Sequence, residues 1–164
     1  MTFEEYVGSR GPALIRLARL LTGDAHRAED LTQDVLARAY VHWRRIARTD
    51  RPDVYVRRML VNANTSWWRR RSSREVAVAS FTERPQRGDL GGEAADRDEM
   101  WRLISALPDR QRAVLVLRYY EDLDDVTIAQ ILDCSPVTVR THAMRALAHL
   151  RERCGVPTTK GSRP

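Results

Sequence analysis

The sequence predicts an all-α protein of two small helical domains joined by a flexible linker. Three observations carry that prediction. Apolar residues recur at three- and four-residue spacing through residues 2–71 and 99–150, and no segment sustains strand alternation. Ser72–Asp98 loses the period; it holds Pro85, Gly88 and Gly91-Gly92, and few large apolar residues beyond Phe81 and Leu90. Asp122–Leu150 reads as two short helices joined by a tight turn, around which the second domain is organised. A chain of 164 residues suits one domain or two small ones.

The first helical pattern runs through Phe3, Tyr6, Val7, Leu14, Leu17, Ala18 and Leu21. Gly11-Pro12 interrupts it, which predicts a short lead-in and a helix from about Pro12. Thr22-Gly23-Asp24 is a turn with a C-terminal glycine, and Asp24 can cap a second helix to about Ile46. There Ala28, Leu31, Val35 and Ala39 face a core, while Asp30, Gln33, Asp34 and Ala37 lie opposite. An acidic patch in a basic domain suggests a partner other than DNA; read alone, it equally well complements the helix dipole.

Ala47–Pro52 is a polar loop. A third helix then runs from about Asp53 to about Arg71. Val56, Leu60, Ala63 and Trp67 form its apolar face; Arg58, Asn62, Thr65 and Arg69 share the other. With Trp67-Trp68 and Arg69-Arg70-Arg71 they combine charge, hydrogen-bonding groups and stacking surface, the ingredients for gripping unpaired DNA. The plainer alternative packs Trp67 into a core; for Trp68 the two readings balance.

Beyond the linker, Glu99–Ala106 is a helix with Trp101 and Ile104 available for a core, and Leu107-Pro108-Asp109 marks a break. The next helix carries Ala113, Val114, Leu117 and Tyr120 as apolar residues. In the two-helix stretch, Val126, Ile128, Ala129, Ile131 and Leu132 give the first segment one apolar side, with Ala129 small enough for a close crossing. Asp133-Cys134 breaks the pattern; Ser135 is an N-cap and Pro136 suits the first helical position. Val139, Ala143, Ala146, Leu147 and Leu150 then fall on one side, and Val137, Arg140, Thr141, Met144 and Arg145 on the other. A capped helix that shows Arg, Thr and Met is built to enter a DNA major groove, although a plain two-helix corner would share the pattern. Gly155 ends the last helix, and a disordered tail is expected after it. The domain boundaries are therefore 1–71, 72–98 for the linker, 99–154, and 155–164 for the tail.

Residues 1–71 carry 14 basic and 8 acidic side chains, and only Lys160 among the 28 basic residues is lysine. That balance points to a polyanionic partner such as nucleic acid. Cys134 and Cys154 form neither a disulfide framework nor a zinc site. No apolar run reaches membrane-spanning length and no signal peptide is visible, so a cytoplasmic protein without membrane insertion is expected. No phosphate-binding glycine loop, nucleophile elbow or metal-binding histidine pair is present. Neither an enzyme, a metal site nor a cofactor is expected.

LTGDAHRAEDLTQDVLARAY and YVRRMLVNANTSWWRRR resemble region 2 of bacterial RNA polymerase sigma factors. LPDRQRAVLVLRYYEDL and IAQILDCSPVTVRTHAMRAL resemble region 4. The ordered pair resembles the sigma-70 family's extracytoplasmic-function (group IV) kind, most of all its short actinobacterial sigma-E type. The resemblance implies a transcription initiation factor that binds core polymerase, directs it to promoters and helps open the −10 element. It implies that Asp30, Gln33 and Asp34 dock on core polymerase, on the β′ coiled coil, with β as a second subunit contact. It implies that Arg48, in the base-sheltering loop, and Arg58, Asn62, Thr65 and Arg69 bind the −10 element. Ser135, Val137, Thr138, Arg140, Thr141, Met144 and Arg145 match the −35 recognition helix. An anti-sigma factor is a further class of partner. Asp133 stands where a turn glycine is common, Thr127 where a glutamate is, Val137 where a glycine is, and Ser66 where an aspartate is. The alternative is a stand-alone helix-turn-helix regulator, for which the acidic patch and the Arg58-Asn62-Arg69 face have no use.

Overall fold

A computed structural model describes residues 1–75, 99 and 101–155. Every regular element among them is helical. The first four are α1 (Phe3–Thr22), α2 (Ala25–Val41), the single turn α3 (Trp43–Ile46) and α4 (Pro52–Glu75). A helical turn over 101–104 precedes α5 (Asp109–Leu115), a π-helical turn (Val116–Tyr120), α6 (Asp125–Leu132) and α7 (Pro136–Arg153).

The expected break at Gly11-Pro12 does not occur: α1 is continuous and Pro12 lies inside it. Proline usually breaks a helix by clashing with the carbonyl four residues back and by pushing the preceding residue out of α geometry. Here the preceding residue is Gly11, which has no Cβ to meet the proline ring. Thr2 starts the helix with a reciprocal capping box to Glu5. Gly23 ends it at φ 71°. Asp24 caps α2 by accepting from the amides of His26 and Arg27. The second helix ends at Val41, short of Ile46, because His42 leaves helical geometry and α3 follows as a separate turn.

Tyr6, Leu14, Leu17 and Leu21 of α1, Leu31 and Val35 of α2, Ile46, and Val56 and Leu60 of α4 build the first core. Phe3 and Tyr6 stack edgewise or tilted on Trp43 and Tyr40 beside it. The second core gathers Ile104, Val114, Leu117, Ile128, Ile131, Val139, Ala143 and Ala146. Two residues expected in it are exposed. The wider π-helical turn carries Tyr120 off the buried stripe, and Val126, in the first turn of α6, faces solvent while Thr127 is buried. Ala129 is buried in α6.

The two units pack on one another, and their buried residues form one contiguous cluster. α4 lies against α6, the Arg112 guanidinium reaches the Leu21 carbonyl at 3.4 Å, and Trp101 covers Gly23. Ser72–Glu75, assigned to the linker from sequence, continue α4. The rest of the linker and the tail after Gly155 lie outside the described residues.

Gly23→Ala is expected to destabilise the fold by at least about 1–2 kcal/mol, the cost of a Cβ in left-handed geometry. The new methyl would also fall inside the Trp101 indole and expel it. Chemical denaturation monitored by tryptophan fluorescence checks this; an unshifted midpoint would contradict it.

Candidate nucleic-acid interface

The capped helix α7 is arranged as its pattern predicts. The Ser135 hydroxyl accepts from the Thr138 amide at 3.1 Å and sits 2.9 Å from the Thr138 hydroxyl. Asp133 turns the chain at φ 53°, a left-handed conformation that aspartate tolerates better than most residues. Val139, Ala143 and Ala146 are buried beneath the helix, while Val137 and Met144 are 61% and 66% exposed. Arg140 and Arg145 share the exposed face. The Thr141 hydroxyl is partly committed, donating to the Val137 carbonyl at 3.1 Å. Arg140 lies 3.9 Å from Asp125, which also holds Arg118. The guanidinium is therefore poised over the α6 N-terminus with its outer edge open.

Two titratable groups here stay uncharged. Burial pushes the Cys134 thiol up, outweighing the neighbouring Arg110, so it is no reactive thiolate. Burial, then Arg110 and Arg145, lower the His142 imidazole, leaving it neutral near pH 7.

Arg58, Asn62, Thr65 and Arg69 share one side of α4, as expected, a side on which Arg58, Asn62 and Arg69 are exposed and Thr65 is half-buried. It borders a cavity of about 170 Å³ whose opposite wall is Asp109, Arg110, Ala113 and Leu132 of the second unit. The Arg58 guanidinium is 3.2 Å from the Asp133 carboxylate. The Thr65 hydroxyl donates to the Val61 carbonyl at 3.0 Å. Arg48 is exposed in the α3–α4 loop. Its neighbour Arg51 donates to the Thr127 hydroxyl at 3.0 Å and the Gln130 amide oxygen at 3.2 Å.

The Trp67-Trp68 pair is no free stacking platform. The rings meet edge to face at 5.0 Å, and the Arg27 guanidinium lies over Trp67, 3.0 Å from its centroid. Arg71 and Arg112 approach the same rings. The Arg27 guanidinium donates from Nη2 to Oδ1 of the buried Asn64 at 3.0 Å. Burial, with Arg71 next, pulls the Arg27 guanidinium below its usual range, though it remains a cation.

Asp30, Gln33 and Asp34 are exposed together on α2. The first turn of α2 holds no acidic residue, so a helix-dipole role accounts poorly for carboxylates five and more positions in. Among the described residues neither carboxylate makes an ion pair.

Sequence reasoning missed Arg57 and Arg112. Both are buried; Arg57 joins Asp53 to Glu121 across the two units, the latter at 2.6 Å. A run such as VRRM announces only that one arginine faces out, and nothing local distinguishes which one is buried. Among the described residues no cluster of His, Cys, Asp or Glu could hold a metal ion, and no helix is long and apolar enough to cross a membrane.

Comparison with known proteins addresses both units. Residues 7–74 match the Sigma-70 region 2 family and residues 97–150 the Sigma-70 region 4 family. The chain is 40% identical over 152 residues to the RNA polymerase sigma-E factor of Streptomyces coelicolor, covering 93% of this chain and 85% of that one. It is 32% identical over 156 residues to the ECF RNA polymerase sigma factor SigL of Mycobacterium tuberculosis, covering 87% and 85%. In fold it is similar to the sigma factor RpoE bound to the anti-sigma factor NepR from Bartonella quintana, with a TM-score of 0.77, 24% identity and coverage of 94% and 97%. CnrH in complex with the cytosolic domain of CnrY is similar at a TM-score of 0.70 and 19% identity, covering 93% and 87%.

Proposed function

Because the chain belongs to the sigma-70 family, as an RNA polymerase sigma factor of the extracytoplasmic-function kind, we propose residue assignments for the surfaces with which it initiates transcription. The stand-alone regulator considered from sequence is set aside, since region 2 and region 4 are both matched and relatives align along nearly the whole chain. Sigma factors are initiation factors rather than catalysts, and this one acts in the cytoplasm, where polymerase and chromosome are.

The face of α7 formed by Val137, Arg140, Thr141, Met144 and Arg145, led by Ser135 and Thr138, reads the −35 element in the major groove. Arg58, Asn62, Thr65 and Arg69 of α4, with Arg48 of the preceding loop, bind the −10 element as its strands part. A base leaving the stack needs a receiving pocket, which a loop beside a basic helix can supply. Asp30, Gln33 and Asp34 dock on core polymerase, at its β′ subunit. An anti-sigma factor is a further partner, an expectation supported by structural neighbours solved with NepR and CnrY.

The observation that carries this reading is that one chain pairs a basic, Asn- and Thr-bearing ribbon on α4 with an exposed acidic patch on α2 that makes no ion pair among the described residues. A DNA-only protein needs the first and not the second. Run-off transcription from genomic fragments with core polymerase tests it; absence of any promoter-dependent product would overturn it. Arg140→Ala is expected to lose about 1–3 kcal/mol of discrimination at one −35 base position. Sequencing of promoters selected from a randomised pool measures that loss, and an unchanged preference at every position would refute the assignment.

A further inference from the structure

Two side chains on the outer face of α7 are poorly suited to water. Val137 and Met144 are 61% and 66% exposed, although the helix already buries Val139, Ala143 and Ala146 in the second core. With Arg140 and Thr141 between them they form one stripe along the helix, at spacings of three and four residues. The Thr141 hydroxyl donates to the Val137 carbonyl, which leaves Arg140 as the hydrogen-bonding group at the centre. The Asp125 carboxylate restrains that centre: one oxygen holds Arg118, and the other lies 3.9 Å from Arg140 Nη1. The stripe is thus a restrained cation with an uncovered apolar side chain on either side of it.

We propose that Val137 and Met144 select thymines, one on each side of a guanine read by Arg140, by covering the thymine C5-methyl groups. This rests on the reading of α7 as the −35 helix. Base edges in the major groove are polar apart from the thymine methyl, and a bidentate arginine matches guanine. Apolar side chains gain from leaving water only where an apolar group receives them, so in the groove Val137 and Met144 favour thymine over the other bases. A helix rises about 1.5 Å per residue, which sets Val137 about 4.5 Å and Met144 about 6 Å from Arg140 along the axis. Base pairs stack about 3.4 Å apart, so each thymine lies one or two base pairs from the guanine. Val137, in the first turn and stiff at χ1, fixes one of them, and the flexible Met144 thioether adapts to the other.

The surroundings favour DNA over a protein as the occupant of this face. Arg140 and Arg145 are exposed beside the two apolar side chains, and α7 carries no acidic residue before Glu152. A groove supplies the complement, with phosphates along its rims and methyl groups on its floor. Because both side chains are exposed, truncating them leaves the core untouched.

The test uses holoenzyme assembled from the full chain and core polymerase, and a fluorescein-labelled promoter duplex selected by it from a randomised pool, with binding read by anisotropy. Each thymine of the selected −35 element is replaced singly by deoxyuridine, which removes the methyl and nothing else. Replacement on either side of the guanine is expected to weaken binding by about fourfold, the effect of one buried methyl group. Met144→Ala should abolish the loss at one of these positions and Val137→Ala at the other, while both variants keep the guanine preference that Arg140→Ala loses. Uracil without effect at every position, losses undiminished in both variants, or a selected element with no thymine near its guanine would overturn the methyl contacts and leave α7 as the −35 helix. Equal binding to a duplex with a scrambled −35 element would instead overturn the reading of α7, and the methyl contacts with it. Indifference to uracil, together with poorer assembly of both alanine variants on core polymerase, would assign the two side chains to a protein contact and overturn the proposal.

Discussion

Replacing Arg112 by methionine is expected to cost about 3 kcal/mol of stability, the largest effect of any single polar side chain described here. Arg112 is 5% exposed and its guanidinium ties together four backbone carbonyls. Nε donates to Ile104 at 3.3 Å, Nη1 to Leu21 at 3.4 Å, and Nη2 to Ser105 and Leu107 at 3.1 and 3.0 Å. Those carbonyls belong to the end of α1 and to the turn leading into α5, where helix ends leave acceptors without partners. Methionine fills similar volume but leaves the acceptors orphaned, and each buried orphan costs more than the bond itself contributed. Burial lowers the Arg112 guanidinium and Asp109, 3.6 Å away, partly offsets that, so the group is a buried cation held by oxygen dipoles. Arg112→Lys is expected to recover little of the loss, because a point charge with three donors cannot span carbonyls that a planar fork reaches. Urea unfolding followed by circular dichroism measures both variants; a midpoint for Arg112→Met equal to that of the unaltered chain would show that water replaces the side chain without cost.

Arg112 also shows where sequence stops being informative. The elements themselves were legible because their signals are local. Gly23, Asp24, Ser135 and Asp133 occupy the caps and turns that their chemistry suits, and apolar spacing located the buried faces of α2, α4 and α7. What failed was whatever depended on a partner far along the chain or on exact helical phase. Pro12 is accommodated by the glycine before it, Gly11, a local fact that the usual weight given to a proline obscured. The π-helical turn at Val116–Tyr120 shifts phase mid-pattern, so Tyr120 emerges where an α-helical count would bury it. For the site, periodicity grouped Arg58, Asn62, Thr65 and Arg69 on one side of α4 but could not reveal what borders that side. The bordering groups Asp109, Arg110 and Asp133 come from beyond the linker, and charge patterning within α4 holds no trace of them. Trp68 was undecided for the same reason: its neighbours Arg27 and Arg112 are distant in sequence.

Asp30→Ala combined with Asp34→Ala is expected to weaken binding to core polymerase by at least about tenfold, on the order of 1.4 kcal/mol, while leaving the fold intact. Both side chains are exposed and lie beyond the first turn of α2, so neither core packing nor the helix dipole depends on them. A surface substitution of that kind usually changes stability by less than about 0.5 kcal/mol. The patch is conspicuous because the rest of the first unit is basic: residues 1–71 hold 14 cationic side chains against 8 acidic ones. Such a background repels a basic partner everywhere except at this face, so the two carboxylates set the docking orientation as well as the affinity. Their contribution should therefore appear mainly in the association rate and fade as salt screens it. Surface plasmon resonance on immobilised core polymerase, at about 50 mM and 300 mM salt, separates these components. The unaltered chain should lose association rate as salt rises, and the double variant should be slow at both concentrations. Equal rates for the two proteins at low salt would show that the carboxylates are solvated surface and that polymerase is engaged elsewhere on the chain.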